Sequence, residues 1–572
     1  MQKKNLIYEG AVVVAVFAAM TFFLAEYAPY RMGFKEQISM FLLSADHLKW
    51  YFSHPACLAA IAGDWLTQFY WYEGAAIGIT MSLLILLWLG TATLLKRSGS
   101  RFPAVAALLP SMVELYFLTW LNYPVSATLA MVLAVWTGAA LAGQSRMTDL
   151  FLLVLGMPLF YAGAGFHALT LGIAVLLFRG KEWTAWASFA AGILVSLAVG
   201  HQYNISFVQS LISPVPIGYI TPKPMLTACS PLVFAITLIT GKIIDRPWVS
   251  VPVAAILLGV VCRLGVDRSM ELSLELGTNA YKDNWTRVYE LSSKNRTGNM
   301  YATYYYNLCN ARNDRLADGL FRKNQATSES LFLSVGQNSN YLSVFFYSDA
   351  LLEMGDLSQA TDCALLGQTI IPGGYTTRMF RRLAQTAMVA GDYVVAAKYL
   401  DMLAGTPVHG KWAREMKDCI ARNEMPQDIM RWRSRSAKSD KLYIQGNWMS
   451  ALSTLADQNP LNKTAVDYLL CGCLLDKKIG SFRSCYDRYY YNKLDRLVDV
   501  PELFQQALLT DVTSQEQFDA TVARYSISNK TANDFKDFFG LNSASGRMNP
   551  EAHRDSYWYY IMSVQLNTEE NQ

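Results

Sequence analysis

The sequence lacks the short motifs that identify common enzyme classes. It contains no G-x-x-x-x-G-K-[ST] segment, which excludes a P-loop ATPase, and no H-E-x-x-H or paired C-x-x-C of a zinc site. The G-x-S-x-G elbow of the α/β-hydrolases is also absent. Its apolar segments show no internal repeat of the kind that many transporters carry. A functional site must therefore be sought from residue type and position.

Charged residues are few, and their signs nearly cancel. Asp, Glu, Lys and Arg make up 16% of the 572 residues, and the net charge is only +4. So small a charge gives no argument for nucleic-acid binding. Residues 270–572 contain no apolar run long enough to cross a membrane, although apolar residues make up 52% of the whole chain. The composition therefore predicts two unlike halves, with the apolar half first.

Nine apolar runs in the first half predict membrane spans. They cover residues 7–27, 74–95, 103–121, 125–143, 148–163, 164–179, 184–200, 226–243 and 248–266. The first run is too long for a secretory signal and is followed by others, so we interpret it as a retained anchor. The fifth and sixth runs are short enough to form one re-entrant pair instead.

The distribution of Lys and Arg predicts the orientation of these spans. With a cytoplasmic N-terminus, ten basic residues lie inside: Lys3, Lys4, Lys96, Arg97, Arg101, Arg146, Arg179, Lys181, Lys242 and Arg246. Four lie outside: Arg31, Lys35, Lys49 and Lys223. Arg263 and Arg268, at the far end of the ninth span, would also lie outside. Counting them changes the ratio of inside to outside basic residues to ten against six, which still favours the same orientation. An odd number of spans places the two ends of the chain on opposite sides of the membrane. With a cytoplasmic N-terminus in a bacterial inner membrane, residues 269–572 are therefore predicted to lie in the periplasm.

The nine cysteines specify no disulfide framework. Six of them would face an oxidising compartment, where disulfides are possible: Cys309, Cys363, Cys419, Cys471, Cys473 and Cys485. Cys471 and Cys473 are two positions apart and would lie on different faces of a helix. We interpret this pair as ordinary buried residues, with a metal or redox role as the less favoured alternative.

The second half contains a repeated pattern of small and apolar residues. Segments 351–366 and 387–403 share it, and their Gly-Asp turns at Gly355 and Gly391 are 36 residues apart. A third unit begins at residues 446–448 and turns at Asn459-Pro460, and Asn284-Trp285 opens a more degenerate copy. This pattern resembles the tetratricopeptide repeat over residues 280–480, which implies a solenoid that binds a peptide or protein. The alternative is an irregular helical domain that braces the membrane half.

The first external loop, residues 28–73, is the best location for chemistry. Segments 46–52 and 58–72 read as amphipathic helices, suited to lying along the outer leaflet. The loop is rich in aromatic residues and contains His47, His54 and four acids: Glu36, Asp46, Asp64 and Glu73. Such aromatic residues also form the ordinary interfacial belt of membrane proteins, and acids in exposed loops are usually only solvated.

A first span followed by an interfacial loop with early acids is similar to the GT-C superfamily of integral-membrane glycosyltransferases. That resemblance implies a sugar donor on a polyprenyl phosphate, transfer at the outer leaflet, and an acidic base or metal ligand in the loop. Mg²⁺ or Mn²⁺, where such an enzyme uses one, neutralises the departing phosphate. By position the matching catalytic acids are Glu36, Asp46 and Asp64. The chain departs from the superfamily in having no D-D or E-x-D pair near the first span and fewer spans.

Other external groups are expected to complete a substrate site. We predict His201, Tyr203, Lys223, Trp50 and Trp65 as substrate-binding residues, with Lys223 able to meet a phosphate as a point charge. Glu114 and His167 lie at membrane depth, where polar groups are functional candidates by default. Each is equally compatible with a hydrogen bond inside the bundle, which we favour for His167.

The predicted fold is all-α. Residues 1–268 form a polytopic bundle of about nine spans with the loop 28–73, and residues 269–572 form a periplasmic helical-repeat domain. The leading hypothesis is a membrane glycosyltransferase or oligosaccharyltransferase. The rival is a non-enzymatic scaffold that recruits periplasmic partners for envelope assembly or secretion. The whole chain also resembles an uncharacterised family of polytopic bacterial inner-membrane proteins, which implies no activity.

Overall fold

The protein is helical throughout its described part. The computed structural model describes residues 2–141, 151, 155–179, 182–217, 224–243, 247–335, 341–371, 373–438, 447–541 and 547–564. Helices and their connecting turns account for these residues, and no β-strand occurs among them. The prediction of an all-α protein is therefore confirmed for the described residues.

The chain divides into two compact units. Unit 1 comprises Met1–Leu274 together with Gln368–Phe380 and Leu400–Met416. Unit 2 comprises Glu275–Gly367, Arg381–Tyr399 and Lys417–Gln572. The first segment of unit 1 ends six residues after the predicted boundary at residue 268, and the two later segments of this unit lie within the predicted second domain.

The helices that begin in the first 274 residues follow the apolar runs and the external loop. They are α1 (Gln2–Tyr27), α2 (Pro29–Gln37), α3 (Ala45–Phe52), α4 (Cys57–Gln68), α5 (Glu73–Arg97), α6 (Pro103–Ala106), α7 (Leu108–Leu118), α8 (Val125–Leu141), α9 (Met157–Ala164), α10 (Ala168–Arg179), α11 (Trp183–Gln202), α12 (Phe207–Ile212), α13 (Cys229–Ile243), α14 (Pro247–Gly265) and α15 (Arg268–Tyr281). Short 3-10 segments cover Phe69–Trp71, Gly165–His167 and Pro224–Ala228.

Four helical runs are long and apolar enough to cross a membrane: Ile7–Tyr27, Glu73–Arg97, Met157–Phe178 and Pro224–Gly241. Four shorter apolar runs, of 10–17 residues, are Pro103–Leu118, Val125–Leu141, Trp183–Ala198 and Val251–Gly265. The run Met157–Phe178 includes all but the last residue of the predicted sixth span and the end of the fifth. The described helices thus support a membrane protein, and a total of nine spans stays a prediction.

Small residues allow the apolar helices of unit 1 to pack closely. A Cβ atom added at Gly63 on α4 would lie 2.6 Å from backbone atoms of Ser126 on α8. A Cβ added at Gly138 on α8 would lie 2.5 Å from the Cβ of Ala174 on α10. Close backbone approach of this kind supplies the van der Waals contact that holds helices together in lipid. The Gly63 contact also fixes the next residue, Asp64, against α8.

The loop of residues 28–73 forms three helices, and the amphipathic pattern predicts two of them, α3 and α4. Segment 46–52 lies within α3, and segment 58–72 forms most of α4 and the 3-10 turn that follows it. Ser44 caps α3, because its hydroxyl accepts a hydrogen bond from the His47 backbone amide. Pro29 occupies the first turn of α2, where its missing amide hydrogen costs nothing.

The remaining helices form most of unit 2. They are α16 (Trp285–Lys294), α17 (Met300–Arg312), α18 (Leu316–Gly319), α19 (Tyr341–Met354), α20 (Leu357–Ile370), α21 (Thr377–Ala390), α22 (Tyr393–Ala404), α23 (Gly410–Arg422), α24 (Gln427–Arg435), α25 (Trp448–Gln458), α26 (Lys463–Leu475), α27 (Ile479–Cys485), α28 (Glu502–Leu509), α29 (Gln515–Tyr525), α30 (Asn529–Phe538) and α31 (Tyr557–Ser563).

The predicted Gly-Asp turns are present in unit 2. Gly355 separates α19 from α20 at φ +84°, and Gly391 separates α21 from α22 at φ +82°. Glycine adopts this left-handed conformation without the steric cost that a Cβ would bring. Asn284 caps α16, as expected for the start of the degenerate copy. Helical hairpins are therefore present, and their relation to tetratricopeptide repeats stays a prediction.

All nine cysteines lie among the described residues, and all are free thiols. Cys471 and Cys473 are fully buried in α26. This environment agrees with ordinary packing residues, which are common at buried cysteine positions.

Candidate functional site

A cavity of about 170 Å³ lies in unit 1, at the loop of residues 28–73. Its walls come from α2, α3 and α4 and from three other parts of unit 1, within residues 121–126, 214–216 and 370–375. The side chains that bring chemistry to these walls are Lys35, His47, Trp50, Tyr51 and Asp64. An amino group, an imidazole, a carboxyl group and two aromatic rings thus line one small space.

Asp64 provides the carboxyl group of this cavity. It lies on α4, is partly buried, and accepts a hydrogen bond of 2.7 Å from the Tyr51 hydroxyl at Oδ2. Burial raises the pKa of Asp64 to about 6, and the hydrogen bond from Tyr51 opposes part of that rise. A carboxylate with such a pKa is mostly ionised at neutral pH and more basic than an exposed aspartate. It is therefore suited to accept a proton in a reaction.

Lys35 provides a buried amino group. It lies in the last turn of α2, is 3% exposed, and donates a hydrogen bond of 2.5 Å from Nζ to the Tyr123 carbonyl oxygen. Burial lowers the pKa of Lys35 to about 7, and the nearby Arg31 guanidinium adds to the shift. Because a lysine ammonium has three hydrogens, two stay available to a ligand. An anion in the cavity would favour the charged form of this side chain.

His47 presents both of its ring nitrogens to a buried environment. The side chain is 2% exposed, and neither Nδ1 nor Nε2 makes a hydrogen bond of normal geometry among the described residues. The ring packs edge-on against Tyr51 and Tyr375, with centroids 4.9 and 4.5 Å away. Burial lowers the pKa of His47, and a hydrogen bond with the Met40 backbone opposes part of that shift.

Unsatisfied polar atoms make the cavity suited to a polar ligand. The Ser39 hydroxyl also lines the cavity and, like the His47 ring, makes no hydrogen bond among the described residues. Leaving a buried donor or acceptor unpaired costs about 1–3 kcal/mol. A ligand that hydrogen-bonds to these atoms would recover that free energy.

Glu36 lies outside the walls of this cavity, in contrast to its predicted role as a catalytic acid. Its carboxylate is fully buried, and Oε1 lies 2.6 Å from Nε2 of His409. The Thr377 hydroxyl donates to the Glu36 backbone carbonyl, and Arg378 donates to the neighbouring Gln37 side chain. These contacts tie α2 to the later segments of unit 1, so Glu36 positions the loop.

Asp46 is the second predicted acid that the structure places away from the cavity. Its side chain is 94% exposed, and its carboxylate lies 3.7 Å from the ammonium of Lys49 on the same helix. Exposed ion pairs of this kind contribute at most about 1 kcal/mol to stability. Of the three predicted acids, Asp64 alone lines the cavity.

Of the five predicted substrate-binding residues, the structure describes the side chains of three, Trp50, Trp65 and Tyr203, and one of these three lines the cavity. Trp50 is part of its wall. Trp65 is 45% exposed and packs edge-on against Phe69, and Tyr203 follows α11 without lining the cavity. The side chain of His201 and the whole of Lys223 lie outside the described residues.

Three important wall residues were not among the predicted site residues: Lys35, His47 and Tyr51. The sequence contained a signal for them, because they belong to the same loop as Asp64 and lie on its amphipathic helices. Tyr375 carried no such signal, since it is more than 300 residues away in sequence.

Glu114 is hydrogen-bonded inside the bundle. Its carboxylate accepts hydrogen bonds from Tyr123 at 2.8 Å, from Thr128 at 2.7 Å and from Ser230. His167 has one ring nitrogen 3.0 Å from the Thr170 hydroxyl, while its Nε2 makes no hydrogen bond among the described residues. These contacts therefore favour a structural role for Glu114, as a hydrogen-bonded group inside the bundle.

The side chains present do not fit a divalent cation. No group of three or more His, Cys, Asp or Glu residues that could hold a metal occurs in the described part of the chain. Asp64 is the one carboxylate on the cavity wall, whereas Mg²⁺ and Mn²⁺ favour several oxygen ligands. We therefore derive no step that uses a metal.

The described residues thus form a helical protein with apolar helices suited to a membrane and, in its first unit, a small cavity with a few polar groups on a largely apolar wall. The chain belongs to a family of unknown function, DUF6057, which matches residues 4–563. No curated protein and no solved structure matches the chain. Any conclusion about function must therefore rest on the contacts within this chain.

Proposed function

We propose that the chain is a membrane glycosyltransferase that uses a sugar linked to polyprenyl phosphate at the outer leaflet of a bacterial inner membrane. The observation that carries this proposal is the presence of Asp64 and Lys35 on one cavity, in the loop between the first two membrane-suited helices. In transfer from a phosphate-linked sugar, a carboxylate can accept the proton of the acceptor hydroxyl and an amino group can stabilise the charge of the leaving phosphate.

The size of the cavity supports a single sugar ring as its occupant. A cavity of about 150 Å³ in another protein holds one benzene ring, and this one measures about 170 Å³. Trp50 and Tyr51 give it aromatic walls, while Ser39 and His47 offer polar atoms to hydroxyl groups. An apolar wall with a few placed polar groups is typical of small-molecule sites.

In the proposed reaction, Asp64 accepts the proton of an acceptor hydroxyl while the acceptor oxygen forms a bond to the anomeric carbon. The bond between that carbon and the phosphate oxygen breaks, and its electron pair leaves with polyprenyl phosphate. Lys35 stabilises the charge of the departing phosphate. His47 orients the ring through its free nitrogens, and Tyr51 holds the Asp64 carboxylate in place.

Binding of the lipid phosphate tests the donor half of this proposal. Native mass spectrometry of the purified chain in detergent, with added polyprenyl phosphate, compares Lys35→Met with Lys49→Met. We expect the Lys35 variant to bind at least tenfold more weakly and the Lys49 variant to bind normally, because Lys49 is exposed in the same loop. Equal binding by both variants and the unaltered chain would remove Lys35 from the donor site.

The helical hairpins of unit 2 support a second candidate function. A solenoid of such hairpins presents a surface for a protein or peptide, so the chain would act as a scaffold for a periplasmic partner. The cavity of unit 1 distinguishes the two functions, because the glycosyltransferase requires it and a scaffold does not. A partner that co-purifies equally with cavity variants, together with unchanged glycans, would favour the scaffold.

A further inference from the structure

Unit 2 contains a polar cleft of about 890 Å³ that the proposed reaction does not use. It lies among α16, α17, α18, α28 and α30, and residues 550–556 close one side. Its volume is several times the roughly 150 Å³ that one six-membered ring requires. The cleft is therefore large enough for a chain of several rings.

Two stacked tyrosines form one wall of this cleft. The rings of Tyr289 and Tyr306 are nearly parallel, with centroids 6.0 Å apart and an interplanar angle of 20°. Tyr289 is 45% exposed, so this flat amphipathic side chain is accessible to a ligand. An aromatic face carries partial negative charge and attracts the weakly positive C–H groups of a sugar ring.

Asn310 brings a poorly hydrogen-bonded amide to the same wall. It lies one turn after Tyr306 on α17 and is 8% exposed. Its side chain interacts with the Tyr306 hydroxyl, but Nδ2 makes no hydrogen bond of normal geometry among the described residues. Gly319 makes room for this amide, because a Cβ added there would lie 2.6 Å from Nδ2. A ligand hydroxyl would supply the missing acceptor.

The charges of the cleft nearly cancel. Four Lys or Arg and five Asp or Glu residues line it. Several already form ion pairs with each other, such as Lys530 with Glu502 at 2.7 Å and Arg554 with Glu551. A surface so balanced attracts neither a polyanion nor a polycation strongly. It does offer many donors and acceptors to a neutral polar ligand.

From these observations the geometry points to a binding site for a neutral oligosaccharide in the cleft of unit 2. The tyrosine pair packs against sugar rings, the Asn310 amide hydrogen-bonds to a hydroxyl, and the paired charges bind further hydroxyls. This site stands on its own observations, and it holds whether or not unit 1 transfers a sugar.

Saturation-transfer NMR on the full chain in detergent tests this inference. The probes are chitopentaose, maltopentaose, cellopentaose and mannopentaose, with tetragalacturonate and tetralysine as charged comparisons. We expect at least one neutral pentasaccharide to bind and both charged probes to be silent. Loss of binding in Tyr289→Ala and Gly319→Ala, with retention in Tyr491→Ala, would support the cleft, because Tyr491 lies in unit 2 without lining it.

The outcome is independent of the reaction proposed for unit 1. The Asp64→Asn variant should bind the same pentasaccharide with unchanged affinity, so loss of transfer and loss of glycan binding are separable. The inference would be overturned if no neutral probe binds or if a charged probe binds instead. It would equally be overturned if a neutral probe binds with the same affinity to Tyr289→Ala and Gly319→Ala. Melting curves of each variant confirm that its fold is intact.

Discussion

The Tyr51 hydroxyl donates a hydrogen bond of 2.7 Å to Oδ2 of Asp64, and both residues line one cavity. The hydrogen bond stabilises the ionised carboxylate, while burial favours the protonated form. The pKa of about 6 reflects the balance of these two effects. Tyr51 therefore sets the pH at which Asp64 can act as a base.

Replacing Tyr51 by phenylalanine should shift the acid side of the pH profile. Because the hydrogen bond lowers the pKa of Asp64, its loss should move the lower inflection of kcat/KM upward by about 0.5–1 pH unit. Steady-state rates between pH 5 and 8 measure this shift. Tyr72→Phe is the matched control, since Tyr72 is exposed in the same loop. An unshifted profile in Tyr51→Phe would contradict the assignment of Asp64.

Asp64→Asn should abolish transfer and also stabilise the protein. A carboxyl group whose pKa is raised on folding binds its proton more tightly in the folded state, so stability falls as the pH rises from about 4 to 6. An asparagine side chain does not ionise, and its amide oxygen can still accept the hydrogen bond from the Tyr51 hydroxyl. We expect the melting temperature at pH 7.5 to rise by about 1–3 °C. A lower melting temperature would mean that the ionised carboxylate serves the fold.

Glu36 and His409 should matter for stability and not for the chemical step. His409→Ala leaves the buried Glu36 carboxylate without its 2.6 Å partner, which costs about 3–5 kcal/mol when a buried pair is broken. Glu36→Gln should be milder, because its amide oxygen still accepts from His409. Thermal melts and protein abundance report these effects. If Glu36→Gln folds normally and yet has no activity, Glu36 takes part in the reaction after all.

Reporter fusions at residue 572 should show an external C-terminus. Nine spans place it opposite a cytoplasmic N-terminus, whereas a single crossing by Met157–Phe178 would reduce the predicted total to eight and reverse the result. We expect active alkaline phosphatase and no fluorescence from green fluorescent protein at this position. Fusions after residue 98, which the basic residues place inside, should give the opposite pattern. An internal position for residue 572 would overturn the predicted periplasmic location of residues 269–572.

Much of the fold was predictable because its signals are local. Apolar runs located α1 and α5, amphipathic periodicity located α3 and α4, and the Gly-Asp pairs located the turns at Gly355 and Gly391. Each depends on residues within a few turns of one another. The extent of spans five and six was harder, since their apolar run is long and continuous enough to be divided in more than one way.

The candidate site was only partly predictable. The loop and Asp64 followed from position, but a preference between Glu36, Asp46 and Asp64 did not. Burial of Glu36 depends on Thr377 and His409, which are 341 and 373 residues away in sequence. A helical or strand periodicity relates only residues that are near one another in sequence. That Thr377 and His409 belong to unit 1 is therefore visible only in the three-dimensional contacts.

Mass spectrometry of envelope glycans and lipid-linked sugars tests the central claim most directly. Cells that carry Asp64→Asn are compared with cells that carry Asp46→Asn, at equal protein abundance in the membrane. The proposed reaction predicts loss of a defined sugar from the envelope and accumulation of its polyprenyl-phosphate donor in Asp64→Asn, with neither change in Asp46→Asn. Unchanged glycans and donor levels in Asp64→Asn would contradict a glycosyltransferase whose base is Asp64.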